Sequence, residues 1–149
     1  MARELQEVGQ AVKRLQARHH RELDARLAGL GLSIVQWDAL RHLAASPAAS
    51  LHDLARLTFQ SDQAFGTLAA RMIERGLIER VPGPGRAVRH RLTAKGRDLL
   101  HQAGPLVDDV LSESLGILTP RELDDFAGLL DKLLASPAPT ARTGRPTRD

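Results

Sequence analysis

Hydrophobic residues recur at helical spacing over most of the chain, and the longest such stripe comes first. Its members lie three or four residues apart: Leu5, Val8, Val12, Leu15, His19, Leu23 and Leu27. This spacing predicts one long amphipathic helix over residues 3–29. A stripe of this length predicts a partner helix, either in this chain or in a second copy, and ordinary packing within one chain is the alternative.

Further helices are predicted downstream, each with a start signal. Ser33 and Gln36 form a capping-box pattern at the start of a helix that extends to about residue 45. A short helix with its apolar side within residues 51–57 follows Ser50.

The C-terminal third is also predicted to be helical. After residue 96 a helix extends to about residue 111, and Pro105 inside it should kink or interrupt it because proline lacks the backbone N–H. The last helix begins after Thr119, with proline at its first position and Glu122 at its third.

Residues 61–75 carry the most informative helix pattern. Ser61 is a good N-cap residue, and the apolar positions that follow it are Phe65, Leu68, Ala69, Met72 and Ile73. The opposite face carries short or hydrogen-bonding side chains, namely Gln63, Ala64, Thr67 and Arg71. Together with the short helix before it, this helix has helix-turn-helix spacing, and its polar face can approach base edges closely.

A basic hairpin pattern follows this helix. Residues 77–81 and 86–92 are predicted to be short strands around the turn 82–85, which consists only of proline and glycine. Residues 71–97 contain eight basic and two acidic side chains, a net charge of +6, whereas the whole chain carries +3. Because the positive charge is concentrated here, the pattern predicts a winged helix-turn-helix that binds nucleic acid.

Composition and missing motifs exclude several kinds of site. The 149 residues contain no cysteine, which excludes disulfides, zinc–cysteine sites and thiol redox chemistry. No enzyme activity, catalytic residue or cofactor is predicted, since the chain has no glycine-rich phosphate loop, G-x-S-x-G motif or nucleophile beside a base. His20 and Asp24 lie one helical turn apart, but without a second ligand cluster no metal site is predicted. No apolar run approaches about 20 residues and no signal peptide begins the sequence, so we expect a soluble, cytoplasmic protein without membrane contact.

The leading functional hypothesis is sequence-specific binding to double-stranded DNA. Gln63, Ala64 and Thr67 would read base edges in the major groove. The residues that would hold phosphates are Ser61, Arg71, Arg89 and Arg91. Two alternatives stay open: a non-specific architectural DNA-binding protein, and a winged-helix module that binds protein. The concentrated charge argues against the second alternative.

Four motifs in the right order resemble the multiple-antibiotic-resistance regulator (MarR) family. They are LSIVQW at residues 32–37, GLIER at 76–80, LTAKG at 92–96 and LTPREL at 118–123, and the resemblance covers roughly residues 5–135. It implies a homodimer that presents two recognition helices and two wings to a pseudo-palindromic operator. Members of this family are usually repressors, often released from DNA by a small aromatic or anionic ligand.

The wing departs from the family pattern at one position. Members commonly carry Asp-x-Arg there, and the acid orients an arginine that enters the minor groove. In this chain Pro84 occupies the acid position and Arg86 is the arginine. Arg86 is therefore a candidate minor-groove contact without its orienting partner.

An effector pocket is expected between the dimer helices and the DNA-binding lobe. Its candidate residues lie on the first two helices: His19, His20, Trp37, Arg41 and His42. A histidine on an apolar stripe, such as His19, can bind a ligand or respond to pH, but a hydrogen-bonded packing role is the more frequent alternative.

The predicted fold is thus mainly α with a small β-wing, a winged helix-turn-helix with six helices. Residues 1–30 are predicted to form a dimerisation helix, residues 31–97 the DNA-binding lobe, and residues 98–135 the C-terminal dimerisation helices. Residues 136–149 are predicted to be a disordered basic tail, because they offer nothing to bury. Its arginines, Arg142, Arg145 and Arg148, could add phosphate contacts.

Overall fold

A computed structural model describes residues 3–83, 85 and 88–135 of the chain. These residues form six helices and one two-stranded sheet, as the sequence predicts. The elements are α1 (Leu5–Ala28), α2 (Ile34–Ala45), α3 (Leu51–Leu57), α4 (Asp62–Glu74), β1 (Ile78–Pro82), β2 (Val88–Leu92), α5 (Ala94–Leu115) and α6 (Pro120–Ala135). The predicted tail, 136–149, lies outside the described residues.

Side-chain caps fix where the helices begin. At α2 the backbone N–H of Gln36 donates to Ser33 Oγ, and the N–H of Ser33 donates to Gln36 Oε1, both over 3.2 Å. Ser50 and Asp53 form the same reciprocal pair at α3, and Ser61 Oγ accepts from the N–H of Ala64 at α4. Each cap satisfies backbone donors that the first turn leaves without partners, so the predicted start positions are confirmed.

A single hydrophobic core joins the helices of residues 23–110. Fully buried side chains come from five helices and from the turn before β1: Leu27, Leu40, Leu54, Phe65, Leu77 and Val110. On α4, Phe65, Ala69 and Met72 all point into this core. Because the core holds this face, the opposite face of α4 is turned to solvent.

The wing is an antiparallel hairpin with Ile78 opposite Leu92, Arg80 opposite His90, and Pro82 opposite Val88. Strand β1 is shifted by one residue from the predicted 77–81, so Pro82, predicted to lie in the turn, belongs to the strand. Leu77 ends the helix instead of starting the strand, because its N–H donates to the Met72 carbonyl around Gly76, which has a φ of 73°. Arg86 and Ala87, predicted to begin the second strand, lie outside the described residues.

The base of the wing is fastened to the start of α5. The backbone N–H of Thr93 donates to the Leu77 carbonyl over 3.0 Å, and the Thr93 hydroxyl donates to the Gly76 carbonyl. Gly96 lies against the Leu77 carbonyl, and a Cβ at this position would collide with the oxygen of that carbonyl. Only glycine therefore lets α5 pack this closely.

Of the kink or interruption predicted at Pro105, the interruption is wrong, since α5 runs from Ala94 to Leu115 with Pro105 inside it. Proline removes one backbone hydrogen bond, but Ala103, Val107 and Val110 around it are buried. Tertiary packing of that face therefore outweighs the local cost.

The chain divides into two compact units, residues 1–114 and residues from 115 onward. In the first unit, the N-terminal half of α1 leaves Leu5, Val8 and Val12 exposed, whereas Leu23 and Leu27 are buried. The described part of the second unit is centred on α6, which begins at a capping box of Thr119 and Glu122. No residue of α6 is buried. None of the described helices is both long enough and apolar enough to cross a membrane.

Candidate nucleic-acid interface

The polar face of α4 lies open to solvent, as the sequence predicts. Its members Gln63, Ala64, Thr67 and Arg71 are all exposed. The Thr67 hydroxyl donates to the Gln63 backbone carbonyl over 3.1 Å, and the Gln63 side chain is exposed. Ser61, a predicted phosphate contact, already uses its hydroxyl oxygen to cap the helix. The face thus offers small groups and hydrogen-bonding groups that fit base edges.

The wing carries the other predicted contacts. Arg91 is exposed, and its Nε donates to Glu79 Oε1 over 2.6 Å, an ion pair across the two strands. Arg89 is partly exposed on β2. The predicted minor-groove residue Arg86 lies outside the described residues.

A hydrogen-bonded pair that the sequence pattern did not reveal joins the two helices of the helix-turn-helix. His52 Nδ1 lies 2.8 Å from Asp62 Oδ1, and both side chains are exposed. The residues stand in the first turns of α3 and α4, ten positions apart, and that spacing alone predicts no contact. The pair connects the N-terminal ends of the two helices.

Three acids on this side of the molecule are already engaged with neighbouring groups. Asp62 pairs with His52, and Glu79 pairs with Arg91. Hydrogen bonds from the backbone and the hydroxyl of Ser50 hold the pKa of the Asp53 carboxyl below its ordinary value. Because Glu79 contacts the Arg91 guanidinium, its charge opposes an approaching polyanion less than a free carboxylate would.

The predicted effector residues fall into separate local groups. His19 is half-buried, with Nε2 2.6 Å from Ser114 Oγ on α5, and His20 is exposed. On α2, the Arg41 guanidinium lies 5.4 Å from the Trp37 ring centroid, a cation–π contact. His42 Nε2 lies 3.4 Å from Asp38 Oδ1. Among the described residues no hydrogen bond joins the α1 group to the α2 group, and their effector role stays a prediction.

The residues weighed as a metal site have another use. Asp24 Oδ1 accepts the backbone N–H of Ile34 over 2.8 Å and so helps to satisfy the first turn of α2. Within the described ranges no three histidine, aspartate or glutamate side chains are grouped so that they could hold a metal ion.

A helix-turn-helix with an exposed polar recognition face, followed by a basic two-stranded wing, defines the winged helix-turn-helix class of DNA-binding proteins. The family model described as "MarR family" matches residues 30–87. The HTH-type transcriptional repressor Rv2887 of Mycobacterium tuberculosis is 32% identical over 114 residues, which is 75% of this chain and 82% of the relative. The chain belongs to the MarR family of transcriptional regulators.

Solved structures agree with this assignment. The M. tuberculosis MarR family protein Rv2887 in complex with p-aminosalicylic acid is 31% identical, with a TM-score of 0.72 over 85% of this chain and 98% of that one. The same protein in complex with DNA is 30% identical, with a TM-score of 0.72 over 89% and 98% of the two chains. The apo form of Escherichia coli MarR, 24% identical, has the same fold, with a TM-score of 0.75 over 90% and 99%.

Proposed function

We propose that this protein is a homodimeric repressor that binds a pseudo-palindromic DNA operator. The observation that carries the proposal is the exposed polar face of α4 beside a basic wing whose one described acid, Glu79, is paired with Arg91. Gln63, Ala64 and Thr67 read the major groove, and Arg86 enters the minor groove. The residues that hold phosphates are Ser61, Arg71, Arg89 and Arg91. A relative of 30% identity has been crystallised with DNA, which supports the proposal.

The second copy is the partner of the exposed apolar residues on the terminal helices. In the single chain Leu5 is 89% exposed and Leu134 is 81% exposed. Exposed apolar surface of this kind marks an association site, because its burial is favourable. A two-fold dimer places its two recognition helices on half-sites about one helical turn, or roughly 34 Å, apart.

The proposed mode of action is binding in the cytoplasm, without catalysis. We propose that a small aromatic acid modulates operator affinity, as the relative Rv2887 has been crystallised with salicylic acid and with p-aminosalicylic acid. The residues His19, His20, Trp37, Arg41 and His42 stay the predicted effector group.

Selection of bound duplexes from random DNA tests the proposal. We expect an inverted repeat, bound by two copies of the chain, with half-site centres about 10 base pairs apart. The logarithm of the association constant should fall with the logarithm of salt concentration by roughly 0.9 per phosphate contact.

Two results of this experiment would each favour one of the alternative functions. Equal affinity for every duplex sequence would establish the architectural role. No binding to any duplex in dilute buffer would favour a protein-binding module and would contradict the proposal.

A further inference from the structure

His52 and Asp62 form a polar pair beside the proposed recognition face. His52 lies in the first turn of α3, and Asp62 is the first residue of α4, directly before Gln63. The His52 side chain is 62% exposed and the Asp62 side chain is 69% exposed, so the pair lies at the surface of the lobe. Neither residue is among the DNA contacts proposed above.

The geometry of the pair fixes where the imidazole ring carries its hydrogen. His52 Nδ1 lies 2.8 Å from Oδ1 of Asp62 and 3.1 Å from Oδ2. An ionised carboxylate only accepts hydrogen bonds, so Nδ1 must be the donor. Nε2 is then a bare acceptor in the neutral ring and becomes an N–H donor only in the imidazolium. Within the described part of the chain, Nε2 of His52 makes no hydrogen bond.

The other charged groups on the helices around His52 leave Asp62 as its carboxylate partner. Asp53, the next residue, accepts the backbone N–H of the α3 cap residue over 2.9 Å. On α2, which also packs against α3, Asp38 lies beside basic side chains of its own helix. Arg56, one helical turn after His52, is exposed and adds a positive charge to the same side of α3. This side of α3 therefore favours an anion.

The place of His52 in the fold identifies the anion. In a helix-turn-helix, the N-terminal residues of the second helix reach base edges, while the first helix crosses the sugar-phosphate backbone. His52 stands on that first helix and is hydrogen-bonded to the first residue of the second. We propose that protonated His52 binds a DNA phosphate through Nε2–H, with Asp62 as the positioning residue that holds Nδ1–H. This contact rests on the proposed function and adds a proton-linked element to it.

Operator binding is then coupled to proton uptake at His52 of each copy. Since the charge of histidine changes between about pH 5 and 8, operator affinity should rise as the pH falls. Fluorescence anisotropy with the operator selected from random DNA tests this at about pH 6 and about pH 8. The full-length chain should bind about tenfold or more tightly at the lower pH, because each copy gains a charge-assisted hydrogen bond.

His52→Gln cannot take up a proton and should show the weaker affinity at both pH values. At about pH 6, the salt slope of the unaltered chain should exceed that of this variant by roughly 1.8, because each of two phosphate contacts contributes about 0.9. His101→Gln, at an exposed histidine of α5, is the matched control and should keep the full pH response. Urea unfolding should differ little between His52→Gln and the unaltered chain, because pairs between exposed side chains add little stability.

Asp62→Asn tests the positioning role. The asparagine amide can donate to His52 Nδ1, which lets the neutral ring carry its hydrogen on Nε2. The phosphate contact then needs no proton, so we expect tight binding at about pH 8 and a flattened pH response.

Three results would overturn the proposed contact while the chain still binds its operator. They are a full pH response in His52→Gln, a full pH response in Asp62→Asn, and the same salt slope with and without His52. A loss of unfolding free energy in His52→Gln with an unchanged pH response would show a purely structural pair. If the unaltered chain binds no duplex at either pH, the proposed function fails and this contact fails with it.

Discussion

Helices α4 and α6 are both amphipathic, but they differ in what covers their apolar faces. On α4, Phe65 and Met72 are each 1% exposed, because the core of the same chain covers them. On α6, Leu133 is 70% exposed and Leu134 is 81% exposed. Similar sequence periodicity therefore leads to opposite burial in the single chain.

This difference separates two physical requirements. The face that α4 presents to solvent is fixed by packing within one chain, so the geometry of the DNA-binding lobe does not need a second copy. The apolar face of α6, like that of the first turns of α1, is favourable only when something else covers it. Changes in the two regions should therefore have different signatures: the lobe responds in stability, and the terminal helices respond in assembly.

The largest effect is expected from Gly96→Ala. The added Cβ collides with the Leu77 carbonyl at the joint between wing and α5, and overpacking of this kind costs about 3 kcal/mol or more of unfolding free energy. Urea unfolding at two protein concentrations measures it, and the loss should be the same at both. Gly128→Ala on α6 is the control, since its Cβ meets no atom within 4 Å. If both variants are equally stable, the joint does not hold the wing as described.

The next effect is on assembly. Leu133→Glu places a charge on the exposed apolar face of α6 and should raise the dimer dissociation constant by about 100-fold, because an unpaired charge is costly to bury. Sedimentation equilibrium measures the constant. Gly128→Glu adds the same charge to the other side of this helix and should leave the dimer intact. Equal dissociation constants for the two variants would rule out this face as the interface.

A change on α4 should affect operator affinity alone. Gln63→Ala removes an exposed amide from the polar face and should cost about 1–3 kcal/mol of specific binding, with no change in melting temperature. Fluorescence anisotropy with the selected operator measures this loss. Gln102→Ala removes an exposed amide from α5 and serves as the control. Unchanged affinity in the α4 variant would return Gln63 to the solvated surface.

The features that sequence reasoning predicted correctly depend on local interactions. Helix starts at Ser33, Ser61 and Thr119 follow from side chains three residues from the groups they cap. The two faces of α4 follow from a period of 3.6 residues. Both signals are complete within one or two helical turns, so the sequence alone contains them.

The features that sequence reasoning missed depend on contacts between distant segments. The His52–Asp62 pair is set by how helices α3 and α4 pack, and no spacing rule contains that packing. The local rule predicts a kink or an interruption at Pro105, and the interruption is wrong because the rule takes no account of the buried residues on both sides of the proline. The effector prediction, which rests on which helices carry the residues, stays a prediction.

A smaller effect is expected at Phe59, in the turn between α3 and α4. Its φ is 57°, a conformation that costs a residue with a Cβ about 1–2 kcal/mol, and its ring is 96% exposed. Phe59→Gly should therefore stabilise the fold by about 0.5–1 kcal/mol after the larger chain entropy of glycine is subtracted. Chemical unfolding measures the gain. Phe59→Ala keeps the Cβ and should show no gain, whereas equal stability of the two variants would contradict the strain.

The smallest effect concerns His90, the one buried polar side chain among the described residues. Burial lowers its pKa below the ordinary value of 6.5, and the positive charge of Arg80 on the paired strand lowers it further. The unfolded chain then binds a proton that the folded wing resists, so stability falls as the pH drops below about 6.5. Nδ1 of His90 has no hydrogen-bond partner among the described residues, so no acceptor at that nitrogen stabilises the protonated ring.

Replacement of His90 should therefore flatten the dependence of stability on pH. We expect His90→Leu to reduce the fall in unfolding free energy between pH 7.5 and 5.5, measured in urea, because an apolar side chain takes up no proton in either state. His20→Gln, at an exposed histidine on α1, should keep the wild-type dependence. The same slope in both variants would assign the acid sensitivity to another group. Since His90 is covered by its own chain, the change should leave the dimer dissociation constant unaffected, and a shift in that constant would break the separation between the lobe and the terminal helices.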